Sequence, residues 1–321
     1  MNTSPSESAD LRPRRQILDR LFRWSTLAAG ALILVILALI AWTITGKSLP
    51  VFRSEGFGFF TERRWAPAKE VYGALSFMFG TAVTALIAVV ISVPVSLGIA
   101  LFTTQVAPTW MKKWLVSLTD LVAVVPSVVF GLWGIIFLAP KLVGFYRMIG
   151  GWFEGWPILG DVFGKVGAGR TFMTAGLILS IMITPIITSI SREVIETCPQ
   201  TDRDGALALG ATRWEMITGA VLPHSMSGIV GAVMLGLGRA MGETIAVALV
   251  IGSSPTITAN LFSSGDSLPS VIAFQWGEAT SEIKRSALIA MGLTLFILTI
   301  LVNLTATGVV NRATRRVQGA A

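Results

Sequence analysis

The residues best equipped for chemistry in this sequence are two charges set inside an apolar run. Arg239 and Glu243 stand in the stretch Gly236-Leu-Gly-Arg-Ala-Met-Gly-Glu-Thr244, within a run from Met226 to Gly252. A charge at the centre of a membrane helix costs about 2.5–3.5 kcal/mol on insertion scales, so both need compensation. If the run is one helix, the four-residue spacing puts the two side chains on one face. The pair then has two readings. It is an internal ion pair that holds helices together, or it marks a solute path, because intramembrane charges face bundle interiors or aqueous cavities. For a path, the planar fork of Arg239 suits a tetrahedral oxyanion, to which it offers two charge-assisted hydrogen bonds. Glu243 then either holds Arg239 in place while the site is empty or accepts a hydrogen bond from a protonated phosphate. Sulfate has no such proton to give. Gly236, Gly238, Gly242 and Ala246 let a backbone or a solute come close. Gly238 and Gly242 have the spacing of small-xxx-small helix packing.

Other chemistries are poorly supplied. One cysteine, Cys198, and one histidine, His224, exclude an internal disulfide and a cysteine- or histidine-rich metal site. An intramembrane enzyme would need a nucleophile–base pair or a metal cluster in the bilayer. Cys198 reads as a small residue in a reducing compartment, and His224 as a solvated residue at a helix start. Gly205-x4-Gly210 imitates the opening of a phosphate-binding loop, but Ala211-Thr212 follows where such a loop needs Lys and then Ser or Thr. The chain is therefore expected to be no enzyme, to hydrolyse no ATP itself, and to need no cofactor.

Elements that position these residues follow from hydropathy. Of 321 residues, 53% are hydrophobic and 13% charged, against about 25% charged in soluble domains. Mean hydropathy is +0.72, so the fold expected is an all-α polytopic membrane protein embedded in a lipid bilayer. The net charge of +7 does not indicate nucleic acid, because the basic residues cluster at the ends of apolar runs. Six runs reach the roughly 20 residues that a span requires: 24–45, 73–103, 114–139, 171–191, 226–252 and 286–311. Pro94, Pro126 and Pro185 lie inside three of them, which membrane helices tolerate. The first run is too long for a signal peptide and lacks a cleavage site, so it reads as a retained helix with its N-terminus in the cytoplasm. With both termini inside, cytoplasmic pieces carry thirteen Lys and Arg and the longer outer pieces eleven. The domain division is a tail 1–23, a six-helix body 24–311 and a tail 312–321, and residues 1–10 read as disordered. Trp65, Trp152, Phe153 and Trp156 favour the membrane boundary. Asn303, Thr305 and Thr307 read as interhelical glue.

Segment 192–223 is charged and helix-prone, unlike the other connections. Thr201 or Asp202 can cap a short helix, and Ala206, Leu207 and Leu209 give it a face that permits close approach. Gly210 ends it with a left-handed turn. Trp214, Ile217 and Val221 resume helical spacing, and Pro223 breaks the chain before the fifth span. A generic amphipathic linker would look similar. However, Asp204-Gly205-Ala206, three residues, Gly210, nine residues and Ala220-Val-Leu222-Pro223 resembles the EAA signature of ABC-importer permeases. It departs from that signature by Asp for Glu, Gly for Ala and Ala for Ile.

Two further stretches sharpen the likeness. Arg239-Ala-Met-Gly-Glu-Thr244 and Val125-Pro-Ser-Val-Val-Phe-Gly-Leu-Trp-Gly134 are similar to elements of phosphate-specific ABC permeases. The resemblance implies a type I importer permease of MetI-like architecture. It implies a coupling helix at about 201–216 that docks on an ATPase through Asp204, Gly205, Ala206, Gly210, Leu222 and Pro223. The implied substrate path includes Arg239, Glu243, Thr244, Pro126 and Ser127, although the last two also read as a plain kink and a satisfied hydroxyl. Implied partners are a homologous PstA-like permease in a heterodimer, two PstB-like cytoplasmic ATPases and an extracytoplasmic PstS-like phosphate-binding protein. The implied location is a bacterial plasma membrane. The rival cargoes are sulfate and molybdate. A rival of another class, an ion channel, would have no use for the EAA-like loop.

Overall fold

The computed structural model describes the backbone of residues 12–318 and the side chains of residues 19–308. The disordered stretch expected at 1–10 and the end of the chain lie outside the described residues. The architecture is all-helical except for one small hairpin, and six helical segments are long and apolar enough to cross a membrane. Helix α1 (Arg12–Glu55) is followed by a single turn, α2 (Gly58–Thr61), and by the antiparallel strands β1 (Trp65–Ala66) and β2 (Val71–Tyr72). α1 has 44 residues and so measures about 66 Å at 1.5 Å per residue, roughly twice the hydrocarbon thickness. The sequence boundary at residue 24 is therefore not a structural one, because the helix already runs through the basic segment. Helix α3 (Leu75–Leu101) keeps Pro94 inside and ends in a π-helical turn at Phe102–Val106.

The third span differs from the expected 114–139. Helix α4 (Thr109–Val124) stops before Val125 (φ −60°, ψ 125°) and Pro126 (φ −59°, ψ 139°), and a new helix, α5 (Ser127–Trp133), begins after them. Proline lacks the N–H that would continue the ladder and pushes its predecessor into extended backbone. From Ser127 the helix passes through a π-helical turn (Gly134–Leu138) into α6 (Ala139–Trp152), so the apolar span is Ser127–Trp152. A short turn, α7 (Leu159–Val162), leads to α8 (Phe172–Glu196), capped by the Thr171 side chain and holding Pro185 inside.

α8 is the most enclosed span. It packs against α3 and against α11 (Leu222–Gly242), and Phe172, Ile178, Ile183 and Ile187 are fully buried in that core. Glycines set the approach distances. A Cβ on Gly176 would lie 2.4 Å from Ile87, and one on Gly236 would lie 2.8 Å from Ile187. Gly238 and Gly242, expected to pack helices together, instead have no atom within 4 Å of where a Cβ would sit. They border an apolar groove of about 320 Å³ between α11, α1 and α14 (Glu282–Gln318). The close approaches fall on the opposite, buried side of α11.

The segment before α11 holds α9 (Gln200–Ala208) and α10 (Arg213–Met216). α10 runs through a π-helical turn (Ile217–Val221) straight into α11, so Pro223 does not break the chain as expected. It falls at the start of α11, after the wider π turn has reset the ladder, and one span covers Arg213–Gly242. The chain then breaks at Glu243 and restarts as α12 (Ile245–Val250), whereas the sequence suggested one helix to residue 252. A loop pinned to the start of α8 leads to α13 (Leu268–Gln275). Thr305 and Thr307 donate to Val302 and Asn303 carbonyls of their own helix α14, so they are not interhelical glue.

Candidate functional site

The two interruptions of the spans lie side by side. Gly131 on α5 meets Ala246 on α12 so closely that a Cβ would stand 2.9 Å from the Ala246 Cα. Ser127 starts α5 one turn earlier, and Glu243 precedes Ala246 by three residues. Gly134, three residues after Gly131, meets Val250, four after Ala246, so α5 and α12 run in the same direction. The breaks at Pro126 and Glu243 therefore precede the packed pair on the same side, more than 100 residues apart in sequence.

Glu243 (φ −69°, ψ 126°) leaves the helix and turns into the protein, where it is 9% exposed. Its Oε1 accepts the Ala246 N–H at 3.3 Å, satisfying one of the free donors that begin α12. Thr244 donates from Oγ1 to the Gly242 carbonyl at 3.2 Å. Arg239 stands in the last turn of α11, where the helix dipole favours a cation. Its side chain is exposed. The expectation that Arg239 and Glu243 share a face is thus overturned, because the i, i+4 rule needs a continuous helix and this one stops at Gly242. No ion pair joins them; among the described residues the ion pair found is Lys112–Glu196.

Arg239 is one of a stripe of exposed positions on α11, with His224, Ser227, Gly231 and Leu235. An exposed guanidinium is a poor neighbour for lipid. This face therefore suits another protein surface or an aqueous path better than acyl chains. The neighbouring face of α5 is apolar, with Val129, Leu132 and Trp133 exposed.

The loop at the other end of α8 is a second site. α9 starts after Pro199 with no side-chain cap, not at Thr201 or Asp202 as expected. It ends at Gly210, φ +86°, with the Gly210 N–H on the Leu207 carbonyl and the Ala211 N–H on the Ala206 carbonyl. This pattern is a Schellman closure, and the positive φ favours glycine. The capped start is at Thr212, which exchanges hydrogen bonds with Glu215. Asp204, Gly205 and Gly210 are exposed, Ala206 packs on a cluster of Ile195, Cys198, Met216 and Val221, and Leu222 and Pro223 are half-buried. Leu209, 91% exposed, stands at the elbow. The loop thus presents a polar and small-residue helix with an apolar tip. Sequence reasoning missed Arg203, which ties α9 to α8 by donating to the Ile195 carbonyl at 2.8 Å. It stands between Asp202 and Asp204 in the sequence, a charged setting that gives no sign of its bond to α8. A groove of about 1070 Å³ lined by Arg147, Glu154, Lys165 and Asn260 contains none of the candidate path or loop residues.

Residues 92–318 match the family described as binding-protein-dependent transport system inner membrane component. The phosphate transport system permease protein PstC of Xylella fastidiosa is 40% identical over 298 residues, 92% of this chain and 91% of that protein. PstC 2 of Mycobacterium tuberculosis is 41% identical over 303 residues, 92% of each. In shape, the chain is similar to a solved bacterial ABC transporter involved in alginate import, with a TM-score of 0.59 and 17% identity over 92% of this chain and 99% of that one.

Proposed function

The chain belongs to the binding-protein-dependent transport permeases, in their PstC phosphate branch, and on that premise we propose that Arg239 serves a phosphate path shared with a second permease. The protein is a non-catalytic permease subunit of an ABC phosphate importer, a multi-pass component of the inner membrane. The observation that carries this function is 40% identity to PstC along 92% of the chain.

The path reading goes further. Arg239 offers two parallel donors to an oxyanion on the open face of α11. Glu243, by capping α12, holds the break beside it, Thr244 lies in that break, and Ser127 follows the other one. Pro126 makes the opposing break. For Glu243 to accept a hydrogen bond from a protonated phosphate, its carboxylate must turn from the buried position in which it caps α12. Phosphate passes from an extracytoplasmic PstS-like binding protein into a cavity between this chain and a PstA-like partner. Alternating access exposes Arg239 first outward and then inward. Two PstB-like ATPases drive the change through the 201–216 loop. This places both termini, the 1–23 and 312–321 tails and the loop in the cytoplasm, with 24–311 as the permease body. Support comes from the basic residues at the loop end and from the exposed Leu209 tip.

The test is uptake of labelled phosphate in cells lacking other high-affinity import, with this chain intact or carrying Arg239→Gln at equal membrane abundance. Wild type imports, and Arg239→Gln assembles but does not import. Normal uptake by the variant would make Arg239 structural. Competition by sulfate or molybdate as strong as that by phosphate would reassign the cargo.

A further inference from the structure

The last turn of α8 collects side-chain bonds from three other helices. Arg203 on α9 donates from Nη2 to the Ile195 carbonyl at 2.8 Å. Lys112 on α4 donates from Nζ to Glu196 Oε1 at 2.6 Å. Ser225 in the first turn of α11 donates from Oγ to the Val194 carbonyl at 3.4 Å. One turn further along α11, Gly228 lies against Val194 so tightly that a Cβ would stand 2.4 Å from it. Three consecutive residues, Val194 to Glu196, are therefore fastened to α11, α9 and α4. The chemistry explains why donors converge here. The Val194 and Ile195 carbonyls accept the Thr197 and Cys198 N–H groups of the closing turn and still have lone pairs free for a further donor, and the negative end of the dipole attracts cations.

The three ties are not equal. The Lys112–Glu196 pair is two-fifths exposed on each side, and exposed pairs of this kind contribute little. The Ser225 bond is long. Arg203 makes the short, charge-assisted bond to backbone, and it is half-buried. Its Nε is buried with no acceptor, so the guanidinium has one bond still to gain if the joint rearranges. α9 contributes no buried residue of its own. Apart from the Ala206 contact, Arg203 is what holds it to the bundle.

We propose that Arg203 is the positioning residue that carries displacement of α9 into the membrane helices, by binding it to the C-terminal turn of α8 where α4 and α11 are also fastened. The proposal rests on reading the 201–216 loop as the contact with the ATPase. From this turn, α8 runs through the core, α11 leads to Arg239 and the break at Glu243, and α4 leads to the break at Pro126. One joint thus addresses both interruptions of the candidate path.

The experiment uses the complete transporter in proteoliposomes and measures phosphate imported per ATP hydrolysed for wild type, Arg203→Met and Arg203→Gln. Methionine keeps much of the apolar stem and removes the donors. In Arg203→Met, ATP hydrolysis continues and the ratio falls by about tenfold, the factor set by losing one hydrogen bond to a charged donor. A merely structural role would lower the amount of assembled transporter and leave the ratio unchanged, and an unchanged ratio overturns the proposal. If Arg203→Met does not assemble, Arg203→Gln decides, since its shorter amide keeps a polar group at the surface but not the guanidinium bond to Ile195: a lowered ratio supports the joint and an unchanged one overturns it. The loop reading is checked separately by crosslinking from Leu209→Cys to the ATPase in an otherwise wild-type chain. Failure to crosslink removes the loop reading, whereas a crosslink with an unchanged ratio removes only the role of Arg203.

Discussion

Gly131→Ala perturbs the contact that holds the two breaks together. The added Cβ would lie 2.7 Å from Leu249 Cδ1, 2.9 Å from the Ala246 Cα and 3.4 Å from the Ala246 carbonyl oxygen. The leucine methyl can rotate away, but the Ala246 backbone cannot, because Glu243 and the first turn of α12 fix it. Carbon atoms are at optimal separation near 3.5–4.0 Å, so α5 and α12 must part by at least about 0.6 Å. Overpacking of this kind costs about 1–3 kcal/mol, which converts to a roughly 5- to 150-fold loss of the arrangement with the breaks apposed. Phosphate uptake at equal membrane abundance should fall by about 30-fold, near the geometric middle of that range. Gly238→Ala is the control, because nothing lies within 4 Å of its Cβ position; it should leave the fold of this chain undisturbed, as read by thermal unfolding of the purified chain. If Gly131→Ala imports phosphate like wild type, the apposition of the two breaks does not matter for transport and the site geometry argued here is wrong.

Gly210→Ala forces a Cβ into φ +86° and should destabilise the elbow by about 1–2 kcal/mol, read as a 5- to 30-fold weaker recovery of the ATPase on co-purification; full recovery would contradict the elbow's role. Glu243→Gln keeps an oxygen to accept the Ala246 N–H and removes the charge, so the break should persist while sulfate uptake appears; unchanged selectivity would leave Glu243 as a cap alone. Asp266, before α13, is buried, and burial pushes its carboxyl above the ordinary carboxylate range against the opposing hydrogen bonds from Ser270 and the Ser267 N–H. A raised folded pKa contributes stability that is present below the unfolded pKa and lost as pH rises through the folded one. Asp266→Asn should therefore unfold at a higher temperature than wild type at neutral pH, with the advantage shrinking on acidification. A lower unfolding temperature at neutral pH would mean that the carboxylate's hydrogen bonds outweigh its burial.

Much of this protein is local information. Six spans are legible because each apolar run must meet the bilayer's length by itself, and the Gly210 elbow because a left-handed turn selects glycine. The candidate residues were equally visible: a guanidinium and a carboxylate within an apolar run stand out by composition alone. What the sequence concealed is where helices stop. Pro126 and Pro223 are the same residue type inside similar apolar surroundings, yet one ends a helix and the other sits in the first turn after a π-helical segment. Nothing local distinguishes Gly242-Glu-Thr244 from a continuing helix. The break there is capped locally, by Glu243 accepting the Ala246 N–H three residues on, but it is held by α12 packing against α5, a contact between elements more than 100 residues apart. The same holds for Val194 to Glu196: a helix end is predictable as a place for donors, but the Val194 and Ile195 carbonyls receive theirs from α11 and α9 and the Glu196 carboxylate from α4. Hydropathy and backbone preference act within a few residues, so the sequence alone determined the membrane class, the number of spans and the kinds of chemistry on offer. Packing acts between surfaces, so only the tertiary structure decided that Arg239 faces outward, that Glu243 turns inward, and which helices are joined at the end of α8.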